Sequence, residues 1–138
     1  MAEMALQDIK IFYVEDDPKN RTIVQFILES VGAKMEFDKW GIPETMAMKL
    51  QRYHPDLILL DLMFPNQTSG YDVFDAIRRY PQFATIPIVA ISAADPNIEI
   101  PKAREKGFSG FIAKPLDIRL FPQQIASVLK GENVWYSA

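Results

Sequence analysis

The apolar run that ends at Asp61 restricts the fold of this chain more than any other segment. Leu57, Ile58, Leu59 and Leu60 follow one another without a polar interruption, and a carboxylate stands directly after them. A continuous apolar run of this length is typical of a strand covered on both faces, as in a parallel sheet. In open α/β sheets, ligands bind outside the carboxyl ends of the strands. The run therefore places Asp61 at a predicted site.

Further apolar segments alternate with helical patterns along the rest of the chain. The predicted strands lie at 9–14, 35–37, 57–60, 86–91 and 110–113, and the predicted helices begin at Pro18, at Pro43, before Val73, near Pro101 and before Phe121. This alternation predicts an α/β fold in which right-handed crossovers build a doubly wound, five-stranded parallel sheet. We expect one domain over residues 1–138, with a core at about 9–130 and a C-terminal tail at 131–138.

Composition and charge narrow the class of protein. The chain has 138 residues, 49% of them hydrophobic, and no cysteine. No stretch approaches the roughly 18 apolar residues that a membrane helix needs, and the N-terminus lacks the basic region of a signal peptide. These features predict a cytoplasmic protein without membrane insertion. A net charge of −3 and a pI of about 5.1 argue against direct contact with nucleic acid.

Polar side chains stand at the ends of four predicted strands. Glu15 and Asp16 follow the first strand, Asp61 the third, Ser92 the fourth and Lys114 the fifth. Because parallel strands share one carboxyl edge, we expect these side chains to converge. Clustered carboxylates repel one another unless a cation joins them, and Mg²⁺ prefers oxygen ligands. A carboxylate can also attack phosphorus to form an aspartyl phosphate, so the sequence predicts phosphoryl chemistry at this edge.

Four segments together resemble the receiver domain of two-component response regulators: VEDDPKNR from Val14, DLILLDLMFP from Asp56, PIVAISA from Pro87 and GFIAKP from Gly110. The spacings also match those of receivers: 45 residues separate Asp16 from Asp61, 31 separate Asp61 from Ser92, and 22 separate Ser92 from Lys114. The resemblance covers residues 9–130 and implies a flavodoxin-like strand order.

The resemblance implies roles for the acidic residues. Asp61 corresponds to the phosphoacceptor. Glu15 and Asp16 correspond to the acidic pair of the family, which would hold Mg²⁺ or Mn²⁺ together with Asp61 and the backbone carbonyl of Met63. Asp17 precedes a proline at a helix start, so we predict that it caps the first helix rather than binding metal.

The resemblance also implies which residues respond to phosphorylation and which affect the lifetime of the phosphorylated state. Ser92 corresponds to the switch hydroxyl, Phe111 to the switch aromatic and Lys114 to the lysine that contacts the phosphoryl group, with a cis bond to the following proline. Met63 and Ala94 occupy the positions that flank the path of an attacking water in receivers. Since neither side chain can orient a water molecule by hydrogen bonding, we expect a long-lived phosphorylated state.

The expected function is that of a single-domain response regulator rather than an enzyme. It would accept a phosphoryl group on Asp61 from a histidine kinase or a histidine phosphotransfer protein, and signal to a downstream protein by contact or relay. The main alternative is a pseudo-receiver that acts as an unphosphorylated scaffold. A haloacid-dehalogenase-type enzyme is disfavoured because Met63 stands where a second aspartate is needed. A flavin-binding module is disfavoured because the acidic loop after the first strand would repel a phosphate.

The sequence does not determine the structure of two segments. The loop between Asp61 and Gly70 is one residue longer than the usual receiver pattern. The segment Val134–Tyr136 is either packed on the domain or a contact site.

Overall fold

The computed structural model describes residues 5–39, 41–63 and 69–137. Its strands are β1 (Lys10–Val14), β2 (Lys34–Asp38), β3 (Leu57–Asp61), β4 (Ile88–Ser92), β5 (Gly110–Ala113) and β6 (Val134–Tyr136). Its helices are α1 (Pro18–Glu29), α2 (Pro43–Tyr53), α3 (Gly70–Arg78), α4 (Pro96–Lys106) and α5 (Leu120–Leu129), with a short 3₁₀ turn at Pro81–Phe83.

All strand pairs are parallel, and the sheet has the order β2-β1-β3-β4-β5-β6. One face packs against α2, α3 and α4, and the other packs against α1 and α5. β3 is buried at all five of its positions, which confirms the central buried strand. The predicted doubly wound α/β fold is therefore confirmed. Within the described residues, no helix combines the length and apolar character needed to cross a bilayer.

An aspartate followed by a proline starts two of the helices. At α1 the Asp17 side chain accepts a hydrogen bond from the backbone N–H of Lys19 at 2.8 Å, and a proline fills the first helical position. At α4 the Asp95 side chain accepts from the N–H of Asn97 at 2.9 Å, again with a proline next. The oxygen satisfies a backbone donor that has no partner inside the helix, and the proline lacks a donor there. The prediction that Asp17 is an N-cap is confirmed.

The prediction that the fourth helix begins near Pro101 is wrong. α4 begins at Pro96, and Pro101 lies inside it on an exposed part of the helix. A proline inside a helix removes one backbone hydrogen bond. The cap at Asp95 and the proline at the first helical position favour the earlier start, so the helix continues through Pro101 despite that loss.

A sixth strand extends the five-stranded sheet that the sequence predicts. β6 pairs with the edge of β5, so that Gly110 lies opposite Val134 and Phe111 opposite Trp135. A Cβ atom on Gly110 would lie 2.7 Å from the Val134 carbonyl oxygen, and the missing side chain allows this close approach. Trp135 packs against the core on the α2–α4 face, with the Arg104 guanidinium 4.9 Å from its ring centre. The segment Val134–Tyr136 is thus packed on the domain.

Candidate functional site

The carboxyl edge of the sheet brings the predicted charged residues together. Carboxylate oxygens of Glu15, Asp16 and Asp61 lie within 4.8 Å of one another. The Lys114 ammonium lies 3.4 Å from Glu15 Oε1 and 3.5 Å from Asp61 Oδ2. These four side chains come from the loops and strand ends of β1, β3 and β5. The topology therefore produces an acidic cluster with Lys114 against it.

Asp61 ends the central strand with its side chain almost fully buried. Its residue exposure is 6%, and Oδ1 accepts a hydrogen bond from the Met63 backbone N–H at 3.1 Å. The start of α3 lies directly behind it, because the N–H of Gly70 donates to the Leu62 carbonyl at 2.9 Å. A Cβ atom at Gly70 would clash with the Asp61 backbone carbonyl. Gly70 therefore lets α3 begin immediately against the strand that carries Asp61.

Glu15 is the most enclosed of the three carboxylates and is 1% exposed. Its Oε1 accepts hydrogen bonds from the Tyr13 hydroxyl at 2.9 Å, from Asn20 Nδ2 at 3.2 Å and from Lys114 Nζ at 3.4 Å. Its Oε2 accepts from the backbone N–H of Asp17 at 3.2 Å. The sequence prediction did not include Tyr13 and Asn20. The available signal was that Tyr13 stands two residues before Glu15 and so lies on the same face of β1.

Burial and mutual repulsion shift the titration of the acidic cluster. Burial is the main cause that raises the pKa of Glu15, and the neighbouring Asp61 carboxylate raises that pKa further. Lys114 acts in the opposite direction and lowers it. Burial also raises the pKa of Asp16, with a further contribution from the neighbouring Glu15 charge. The cluster therefore holds negative charge at a cost that a cation would reduce.

The donor set fits a hard divalent cation. Carboxylate oxygens within 4.8 Å of one another suit Mg²⁺ or Mn²⁺, which bind oxygen ligands and retain several water molecules. Asp16 is half-buried at the rim of the cluster and so is accessible from solvent. Met63 is 63% exposed directly after β3. The role of its carbonyl as a ligand stays a prediction, and the predicted longer loop falls largely on residues 64–68, outside the described residues.

Ser92 lies on β4, the neighbour of the strand that carries Asp61, and Phe111 lies one strand further on β5. Ser92 ends β4 fully buried, and its Oγ accepts a hydrogen bond from the N–H of the half-buried Ala94 at 3.0 Å. The Lys114 N–H donates to the Ser92 carbonyl at 2.9 Å, so backbone pairing joins these two residues. Phe111 is fully buried in the middle of β5. The peptide bond between Lys114 and Pro115 is cis, as the resemblance implied.

A doubly wound parallel sheet with this acidic cluster and lysine at its carboxyl edge defines a class of signalling phosphoacceptor proteins. Comparison with protein families agrees with that class. The family described as response regulator receiver domain matches residues 11–126. The chain belongs to this family, whose members are phosphoacceptors rather than enzymes in the usual sense.

Individual relatives and solved structures support the assignment. The transcriptional regulatory protein AfsQ1 of Streptomyces coelicolor is 30% identical over 124 residues, which are 89% of this chain and 52% of AfsQ1. The polar-differentiation response regulator DivK of Brucella ovis is 28% identical over 120 residues, which are 86% of this chain and 94% of DivK. The receiver domain of sensor histidine kinase PA1611 of Pseudomonas aeruginosa, solved with magnesium in its active-site cleft, has a TM-score of 0.74 and 28% identity. The match covers 91% of this chain and 99% of that one.

The lengths of these relatives differ. The chain spans about half of AfsQ1 but nearly all of DivK. Receivers in general interact with histidine kinases and with downstream targets, and Mg²⁺ is typical of the family. The expectation that the chain has no nucleic-acid partner receives no support from AfsQ1, which is by name a transcriptional regulator.

Proposed function

We propose that this protein accepts a phosphoryl group on Asp61 from the phosphohistidine of a histidine kinase or a histidine phosphotransfer protein. It then signals to a downstream protein by contact, or passes the phosphoryl group on in a relay. The observation that carries the proposal is the placement of Asp61. It is a nearly buried carboxylate at the carboxyl edge of the sheet, with the Lys114 ammonium 3.5 Å from its Oδ2.

The transfer is a displacement at phosphorus. An Asp61 oxygen attacks the phosphorus atom and forms the new P–O bond while the P–N bond to the donor imidazole breaks. The imidazole nitrogen keeps the electron pair of the broken bond. Lys114 places a positive charge beside the transferred group, and the Ser92 hydroxyl donates a hydrogen bond to one of its oxygens. Asp16 and Asp61, with Glu15 beside them, and the Met63 carbonyl would hold a Mg²⁺ or Mn²⁺ ion, which would neutralise further negative charge on the transferred group.

The response uses β4, which pairs with the strand of Asp61, and β5, which pairs with β4. When the Ser92 hydroxyl turns toward the phosphoryl group, it gives up the hydrogen bond that it accepts from Ala94. The packing near the end of β4 changes with it, and Phe111 on the neighbouring β5 repacks. A scaffold that is never phosphorylated would not need a buried aspartate beside a lysine, so we disfavour that alternative.

Phosphorylation by a small acyl phosphate tests the proposal directly. With Mg²⁺ present, intact-mass spectrometry should show the addition of one phosphoryl group, and EDTA should prevent it. Asp61→Asn should abolish the addition. Asp56→Asn is the matched control, because Asp56 stands at the opposite end of β3, where its Oδ2 accepts from the Lys10 N–H at 2.8 Å. Equal labelling of Asp61→Asn and wild type would refute the assignment.

A further inference from the structure

Three of the four donors that contact the Glu15 carboxylate within the described part of the chain converge on one of its oxygens, Oε1. A carboxylate offers about four lone-pair positions. Four donors point at Glu15: the Tyr13 hydroxyl, the Asn20 amide, the Lys114 ammonium and the Asp17 backbone N–H. Oε1 is therefore fully occupied, whereas Oε2 accepts only the Asp17 backbone N–H. Glu15 thus differs from Asp16, which lies at the solvent side of the cluster.

Lys114 connects this carboxylate to the reacting one. Its ammonium is shared between Glu15 at 3.4 Å and Asp61 at 3.5 Å, and its side chain is only 19% exposed. An ammonium on a four-carbon stem has many rotamers, so a fixed partner is needed to hold it at one position. Glu15 is that partner, because its own position is set by three other donors.

Tyr13 and Asn20 hold Glu15 from two different elements. The Tyr13 ring is fully buried on β1 and packs near Phe37, with 6.3 Å between ring centres. Burial, reinforced by the Glu15 charge, raises the pKa of the Tyr13 hydroxyl far above its ordinary value, so the group stays a donor. Asn20 approaches from α1. A hydroxyl on a rigid buried ring orients an acceptor more strictly than a flexible surface group can.

We propose that Tyr13 and Asn20 are positioning residues that hold the Glu15 carboxylate so that it places the Lys114 ammonium beside Asp61. In this arrangement Glu15 serves the lysine through Oε1. The inference rests on the proposed function, since Lys114 matters only if Asp61 receives a phosphoryl group.

Tyr13→Phe removes only the hydroxyl and keeps the packed ring. The matched control is Tyr71→Phe, because the Tyr71 hydroxyl also donates to a glutamate, Glu99 Oε1 at 2.7 Å, away from the cluster. The rate of phosphorylation by a small acyl phosphate is measured over a range of Mg²⁺ concentrations. We expect the maximal rate of Tyr13→Phe to fall about tenfold, the scale of one hydrogen bond to a charged group. The half-saturating Mg²⁺ concentration, and the Mg²⁺ affinity by calorimetry, should not change, and Tyr71→Phe should match wild type in both.

A double-mutant cycle separates positioning from general destabilisation. In a Glu15→Gln background, Tyr13→Phe should cause little further loss of rate, because the carboxylate that it orients is gone. Asn20→Ala, at a half-exposed position of α1, should lower the maximal rate in the same way and serves as the second variant if Tyr13→Phe folds poorly in a urea titration.

Two results would overturn the inference. The first is a wild-type maximal rate in both Tyr13→Phe and Asn20→Ala. The second is a loss of Mg²⁺ affinity in these variants with an unchanged maximal rate, which would mean that Tyr13 and Asn20 act on the cation rather than on Lys114. If the wild-type protein itself fails to label, the proposed function is refuted instead. The calorimetric comparison still decides whether these residues serve the cation.

Discussion

Replacing Gly110 by alanine should detach β6 without disturbing the rest of the sheet. The three atoms nearest to an added Cβ all belong to Val134: the carbonyl oxygen at 2.7 Å, the nitrogen at 3.5 Å and the carbonyl carbon at 3.6 Å. The first distance is too short for any real contact, so Val134 must move.

The size of the effect is limited by what β6 contributes. Its ladder hydrogen bonds and the 3.2 Å bond from the Val134 N–H to the Ser109 carbonyl each contribute about 0.5–1.5 kcal/mol. The Arg104–Trp135 contact contributes about 0.5–1 kcal/mol. Ordering the backbone of the strand costs about 1–2 kcal/mol per residue. The hydrogen bonds and the Arg104–Trp135 contact nearly offset the cost of ordering the backbone. Half-burial of the three β6 side chains then leaves β6 stabilising the folded domain by about 1–2 kcal/mol. Because the strand can detach, Gly110→Ala cannot cost more than that.

In a chain truncated after Asn133, the same substitution should raise the free energy of unfolding instead of lowering it. With Val134 absent, the three atoms nearest to the methyl group are gone, and alanine is favoured over glycine within a strand by about 0.5–1 kcal/mol. Urea unfolding is measured for wild type and Gly110→Ala, each at full length and truncated after Asn133. The two comparisons give the change in the free energy of unfolding with and without β6. Acrylamide quenching of Trp135 in a Trp40→Phe background should report the detached strand. A loss of stability from Gly110→Ala in the truncated chain would refute the contact with Val134 as its cause.

Two further predictions concern the site. Asp17→Ala should lower the free energy of unfolding by about 1 kcal/mol as a lost helix cap. Its Mg²⁺ affinity by calorimetry should match wild type, since the backbone N–H to Glu15 remains, and a collapse of affinity would make Asp17 a ligand. Combining Met63→Asn with Ala94→Glu should speed loss of the phosphoryl group, because polar side chains can hold an attacking water. Equal decay in the double variant and wild type would show that these positions do not set the lifetime.

The sequence contains enough to predict β1–β5, because the apolar runs, the alternation of Met35 and Phe37 with polar neighbours in β2, and the helical patterns between the strands are local features. It does not predict β6 as a strand. Val134, Trp135 and Tyr136 are too few for any periodicity, and their pairing depends on the bare backbone of Gly110, far away along the chain. The start of α4 was mispredicted for a related reason. The proline at 101 is a strong local signal for a helix start, and only the capped Asp95 shows that the helix has already begun.

The strand topology alone brings the site residues to one edge of the sheet, but it does not determine which hydrogen bonds they make. Parallel strands bring Asp61, Ser92 and Lys114 to one edge whatever their side-chain rotamers are. Which of several acceptors the lysine contacts depends on distances of a few tenths of an ångström. Sequence patterns do not contain such distances, so the sharing of Lys114 between Glu15 and Asp61 could only be read from the structure.

The contact between Tyr13 and Glu15 is one feature of the site that the sequence does indicate. In an apolar strand a tyrosine is easily counted as one more core residue. Yet a buried hydroxyl needs a hydrogen-bond partner, and the next residue on the same face of β1 is Glu15. A buried glutamate needs donors in turn, and the tyrosine supplies one at 2.9 Å. Each residue meets a requirement of the other, so the pair forms a rigid base at the carboxyl edge. On that base the charge of Lys114 can be held beside Asp61 before any phosphoryl group arrives.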